Sequence, residues 1–185
     1  MASITQSLIN RPAPDFALPL ASSGRLSLAD LRGNVVVLHF WSAECPWSRR
    51  ADIMIVYRQA AWERKGVRVV GIASSSNEPE SEIRYEAGIR HIKYPILLDY
   101  DQYVANLYRV ETTPHFFVLD SRGVIRYTGG LDDANDKQKV PRKLHLDRAV
   151  TALLGNRPPD PAFTRPFGTP IVRPSPSTDL TTARP

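Results

Sequence analysis

The sequence predicts a three-layer α/β domain. Two observations predict it. From Phe16 to about Gly155, strand signals alternate with helix signals. Their order forms a β-α-β half followed by a β-β-α half. The size agrees, since 185 residues at 42% hydrophobic and 23% charged suit one domain with an extension.

Each element has a local reason. Residues 1–11 are polar and read as a flexible N-terminal arm. Asn34 to Trp41 is a short apolar run rich in β-branched and aromatic residues, so it reads as a central buried strand entered through Gly33. Residues 46–65 contain Pro46 at the start and no glycine. Ile53, Tyr57, Ala60 or Ala61 and Arg64 fall near helical spacing, which predicts a helix ending at Gly66. Val67 to Ala73 is the next strand. A helix follows from Pro79 to about Arg90, then a short strand over 94–99 and a short helix over 102–108. Phe116–Asp120 and Val124–Thr128 flank a glycine-bearing turn and read as a hairpin. The last helix runs from about Arg142 to Leu154. The domain therefore spans 12–155. Half of the 16 prolines lie after Asn156, so 156–185 reads as an extended tail, docked through Phe163, Phe167 and Ile171 and disordered past Arg173.

Composition narrows the chemistry. One cysteine excludes an intrachain disulfide framework and any multi-cysteine metal site within the chain. The net charge is 24 − 19 = +5, but the basic residues are scattered and carry no aromatic ladder. Nucleic-acid binding is not expected. No apolar run is long enough to span a membrane, and the N-terminus lacks the pattern of a signal peptide, so no membrane partner and a cytoplasmic location are expected. No cofactor and no metal are expected. The histidines share no ligand spacing, and Asp132, Asp133 and Asp136 read as a solvated turn.

The informative segment is Ser42-Ala43-Glu44-Cys45-Pro46-Trp47-Ser48-Arg49-Arg50. A strand ends, a short turn follows, and proline sits where a helix would begin. That places Cys45 at the helix N-cap, facing free N–H groups and the positive end of the dipole. Such a position lowers a thiol pKa, and the thiolate is the nucleophile. Arg49 would assist; the adjacent Glu44 opposes. The plain alternative is a buried, inert cysteine. A second feature is Thr112-Thr113-Pro114-His115, a proline just before a central strand, where a cis Thr113–Pro114 bond would allow a tight turn. His39 reads as a satisfied core group. His115 is a candidate base or copper ligand, against the plainer reading of a solvated side chain. Trp47 is either a contact for a partner or a helix-packing residue.

Together these features resemble the thioredoxin-fold superfamily, in the redoxin branch that includes AhpC/TSA-type peroxiredoxin-like proteins and TlpA/ResA-like thiol-disulfide oxidoreductases. The matching residues are Ala13-Pro14-Asp15-Phe16, Leu28 to Gly33, Val35 to Trp41, Cys45-Pro46, Val67 to Ala73, Thr112-Thr113-Pro114, and Phe117 to Asp120 with Gly123. The resemblance covers about 12–155. It implies a thioredoxin-like α/β/α sandwich around a central mixed sheet. It also implies that Cys45 attacks a disulfide or peroxide, while Thr113 and Pro114 lie against the sulfur and hold the substrate.

The departures are specific. The usual C-x-x-C is Cys45-Pro46-Trp47-Ser48 here, so Ser48 can hydrogen-bond a thiolate but cannot form a disulfide. Phe167-Gly168-Thr169-Pro170-Ile171 resembles a C-terminal Gly-Cys-x-Ile element of some relatives, with threonine in place of the cysteine. Ser42 stands where the peroxiredoxin family polarises the peroxide. Arg49, Arg50 and Arg126 are candidates for the arginine such a site needs. The catalytic set is therefore Cys45, Ser48, Thr113 and Pro114, with Ser42, Glu44, Pro46, Trp47, Arg49 and His115 at the substrate. Two functions fit. One is a monothiol oxidoreductase acting on a protein disulfide or a peroxide, with the intermediate resolved by a small thiol or a thioredoxin-type reductant. The other is a catalytically weak binding module that grips peptides. A homodimer is compatible with either.

Overall fold

A computed structural model describes residues 4–174. Thirteen elements build it besides two short 3-10 turns. They are β1 (Ala17–Pro19), β2 (Arg25–Ser27), β3 (Val35–Trp41), α1 (Pro46–Glu63), β4 (Val67–Ala73), α2 (Glu80–Ile89), β5 (Ile96–Leu98), α3 (Tyr103–Leu107), β6 (Thr112–Thr113), β7 (His115–Leu119), β8 (Ile125–Gly129), α4 (His145–Leu154) and β9 (Thr169–Pro170).

The main sheet has the order β5-β4-β3-β7-β8. β3 lies at its centre, parallel to β4 and antiparallel to β7, so the sheet is mixed as expected. Alternate residues of β3 feed two cores. Val37 and Trp41 pack with Ala51, Ile55 and Trp62 of α1 and Leu146, Ala149 and Val150 of α4. Val36, Leu38 and Phe40 pack with Val104, Ala105, Tyr108, Phe16 and Leu31 on the other side. A strand buried on both faces favours apolar residues on both, which is why its sequence runs apolar without alternating, His39 apart.

Three expectations change. The first concerns α1. The helix forms as predicted, but the residues whose spacing marks it do not form its buried row: Ile53 is 73% and Tyr57 85% exposed. The buried row is Ser48, Ala51, Asp52, Ile55, Gln59 and Trp62. Half of that row is polar, and hydrogen bonds from other elements satisfy part of it. The second concerns the N-terminal arm. Residues 4–8 form a 3-10 turn, and the backbone beyond it borders β8, with Asn10 N donating to Ile125 O at 2.8 Å and Ile125 N to Arg11 O at 3.0 Å. That pairing covers the Ile125 end of the edge strand, and the C-terminal segment bonds its Thr128 end. The third concerns the acidic turn. Asp132 is buried and accepts a two-pronged pair from Arg50, and Asp133 accepts the N–H groups of Arg142 and Lys143.

The proline-rich segment docks on the domain. Thr164 N donates to Thr128 O, Ile171 is buried, and β9 pairs antiparallel with β6. The disorder expected past Arg173 concerns a stretch that lies, from residue 175 onward, outside the described residues.

Candidate active site

β3 delivers the chain to the sulfur, and two buried groups hold the turn that follows. The Glu78 carboxylate accepts the Ser42 hydroxyl, Ala43 N at 3.0 Å and Glu44 N at 3.1 Å. Arg90 closes the turn from its carbonyl side, donating to Ser42 O and Ala43 O. The same guanidinium pairs with Asp52 at 3.0 Å and Glu86 at 2.6 Å. Asp52 also accepts Trp41 Nε1 at 3.0 Å and the Tyr94 hydroxyl at 2.6 Å. Donors and acceptors of the turn are thus paired in a region closed to water, where an orphan would cost about 1–3 kcal/mol.

Cys45 follows as the N-cap of α1, with Pro46 in the first turn. Its N–H donates to Ser42 Oγ at 3.1 Å, and Ser48 N donates to its sulfur at 3.4 Å. The protonated thiol donates to Thr113 O at 3.0 Å, and the Thr113–Pro114 bond is cis. Register then brings in the tail, because Thr169 of β9 sits opposite Thr113.

Burial pushes the Cys45 thiol up, but the hydroxyl and backbone of Thr169 and the backbone and hydroxyl of Ser48 outweigh it, and the net direction is down. Ser48 Oγ is buried with no hydrogen-bond partner of its own, so its proton is free for the ionised sulfur. Each protonation state therefore has a partner: the Thr113 carbonyl for the thiol, and the Ser48 and Thr169 donors for the thiolate.

The structure brings Cys45, Ser48, Thr113 and Ser42 into hydrogen-bonded contact, with Pro46 opening the helix and Pro114 directly after Thr113. Ser42 is committed to Glu78 and to Cys45 N, so it holds the loop. Glu44 turns outward to Asn77 at 2.7 Å. Trp47 packs edge-on against Phe167 at 4.9 Å, and Arg50 and Lys139 both reach over its ring. The arginine expectation changes, because all three candidates are paired elsewhere. Arg49 binds Glu86, Arg50 binds Asp132, and Arg126 binds Asp120 and Asn10.

His115 is neither solvated nor offered to a metal. Its Nε2 shares a hydrogen bond with Thr128 Oγ1 at 2.8 Å, and its ring stacks on Phe117. Burial pushes it down to about 3, so it stays neutral. The unfolded chain, with an ordinary histidine, takes up a proton below about pH 6.5, and the folded chain does not. Stability should therefore fall on acidification from about pH 6.5 downward, by about 2 kcal/mol at pH 5 from this group. Urea unfolding at pH 7.5 and pH 5 reads the change; equal stabilities would contradict it. His39 behaves alike: it is buried, stacked on Phe116, and pushed down to about 4 by burial.

Four residues of the site escape prediction as site residues. Thr169 was visible only as the threonine in a cysteine's place. Glu78 before α2, Asp52 within α1 and Arg90 at the end of α2 carry no sequence signal, because charged residues in loops and helices usually face water.

Comparison with known proteins identifies relatives of the chain. A match to the AhpC/TSA family extends over residues 9–128. Thioredoxin-like protein YneN of Bacillus subtilis is 31% identical over 137 residues, 73% of this chain and 78% of that protein. Thiol-disulfide oxidoreductase ResA of the same organism is 27% identical over 115 residues, 61% of this chain and 62% of its own length. Among solved structures, a hypothetical protein from Sinorhizobium meliloti 1021 superposes with a TM-score of 0.84 at 26% identity, over 95% of this chain and 98% of that one.

Proposed function

This chain belongs to the AhpC/TSA family, and on that premise we propose that it is a thiol-dependent oxidoreductase that works with one thiol. Cys45 is the nucleophile. The observation that carries this reading is the N-cap position of its sulfur, which accepts Ser48 N at 3.4 Å and lies opposite the strand that carries Thr169. Ionised Cys45 attacks a peroxide oxygen or a disulfide sulfur. With a hydroperoxide, the S–O bond forms as the O–O bond breaks, and the leaving alkoxide takes a proton to become an alcohol. With Ser48 in the second position, no internal thiol resolves the product. An external thiol condenses with the sulfenic acid, releasing water, and a second thiol displaces Cys45 as a disulfide of the reductant.

The binding-module reading is the weaker one, because Trp47 and the Thr112–Thr113 edge are both occupied by the chain's own tail. The test is direct. Reduced protein is treated with hydrogen peroxide, and the sulfenic acid is trapped with dimedone and counted by mass. One adduct on Cys45 is expected, forming at least about tenfold faster than on free cysteine at pH 7, and none in Cys45→Ser. A rate no faster than free cysteine would overturn the reading.

A further inference from the structure

We propose that residues 167–173 form a built-in strap that fills the polypeptide-binding edge beside Cys45 and reserves the thiol for small hydroperoxides. The proposal rests on Cys45 being the nucleophile and adds what decides its substrate.

The strap is built on the sulfur's own loop. β6 offers one edge next to Cys45, and β9 takes it, with Thr113 opposite Thr169 and Thr112 opposite Pro170. A Cβ on Gly168 would run into the Thr113 carbonyl and against Pro114, so the strap's backbone lies directly on that loop. Before the strand, Phe167 packs against Trp47. After it, Ile171 N donates to Glu111 O at 2.9 Å, and Val172 O accepts Ser76 N at 3.0 Å and Gln102 Nε2 at 2.7 Å. Arg173 ties the end down through Val110 O at 2.7 Å, Asn106 Oδ1 at 2.9 Å and Gln102 Oε1 at 3.0 Å. Under this cover Cys45 is 1% exposed, while Thr169 and Pro170 above it face solvent. The cover is one strand thick.

That thickness separates two kinds of substrate. A disulfide within an extended polypeptide needs backbone room beside Thr112 and Thr113 as it presents its sulfur. It can enter only if the ladder, Phe167 and the contacts from Ile171 to Arg173 are released together, a concerted local opening. A hydroperoxide brings only two oxygens to the sulfur. It needs a small excursion at Thr169, within a ladder of two residues. The chemistry then closes as above: Cys45 is oxidised by two electrons to the sulfenic acid, the peroxide is reduced to alcohol or water, and two equivalents of a low-molecular-weight thiol return it.

The test uses the full chain and leaves the catalytic residues alone. Gly168→Ala forces the strap off the Thr113 carbonyl, and Arg173→Ala frees its far anchor. Each protein meets two probes: hydrogen peroxide, and an extended peptide carrying a mixed disulfide with thionitrobenzoate, whose colour reports attack. The ratio of peptide to peroxide rates should rise at least about tenfold in Gly168→Ala, where Thr169 moves with the strap and the peroxide rate falls with it, and less in Arg173→Ala, where Thr169 stays and peroxide oxidation changes by less than about threefold. An equal peptide-to-peroxide ratio in all three proteins, with Cys45 still oxidised by peroxide, would overturn the strap alone. Inertness to both probes in all three would overturn the nucleophile reading together with it.

Discussion

Replacing Arg90 with alanine should destabilise the protein by about 3–5 kcal/mol, the usual consequence of removing one partner of a buried ion pair. The Arg90 side chain is 5% and that of Asp52 1% exposed, and between them lies a 3.0 Å pair. Without the guanidinium, Asp52 keeps only Trp41 Nε1 and the Tyr94 hydroxyl as donors. The carbonyls of Ser42 and Ala43 lose theirs. The loss therefore falls on the turn that aims Cys45, and the thiol's acidity should relax toward that of a free cysteine. Arg90→Lys keeps the charge but not the fork that spans two carboxylates and two carbonyls, so it should recover only part of the stability. Urea unfolding followed by tryptophan fluorescence gives the numbers. A loss below about 1 kcal/mol for Arg90→Ala would mean that Asp52 and the turn do not depend on it.

Ser48→Cys should restore an internal resolving thiol. Ser48 is fully buried three residues along the helix, and its backbone N–H already reaches the Cys45 sulfur. After one equivalent of peroxide, the new thiol should condense with the Cys45 sulfenic acid, forming a disulfide and releasing water. An intramolecular thiol in reach acts at a very high effective concentration. The dimedone adduct seen in the wild type should therefore fall at least about tenfold, with both thiols lost to titration after unfolding. An undiminished adduct would place position 48 out of reach of the sulfur.

The parts of this molecule that depend on local chemistry could be read from its residues. β3 announces itself because a strand buried on both faces admits only apolar side chains from Val36 to Trp41, with His39 the exception. Pro46 marks a helix start and so places Cys45 at its cap. The docking anchors Phe163, Phe167 and Ile171 stand out in a polar, proline-rich stretch. What could not be read depends on partners distant in the chain. In α1, Ile53 and Tyr57 look like core and face solvent, whereas Asp52 looks like surface and is buried. Asp52 can be inside only because Trp41, Tyr94 and Arg90 arrive from β3 and the region around α2. β1 and β2 are three residues each, too short to show a period. The pairing of Thr169 with Thr113 joins residues 56 positions apart through backbone atoms, which leave no mark on side-chain pattern.

On the proposed function, donors from Ser48 and Thr169 favour the thiolate of Cys45. Because the folded pKa lies below that of the unfolded chain, ionisation favours the folded state as pH rises through the folded value. The measurement is the thiolate absorbance near 240 nm against pH, taken as wild type minus Cys45→Ser so that tyrosines cancel. It requires no reagent to pass the strap. A midpoint clearly below the free-thiol value of about 8.5, moving up in Ser48→Ala, is the predicted result. A midpoint at or above that value would leave Cys45 a buried, inert thiol and would contradict the assignment of a redox site.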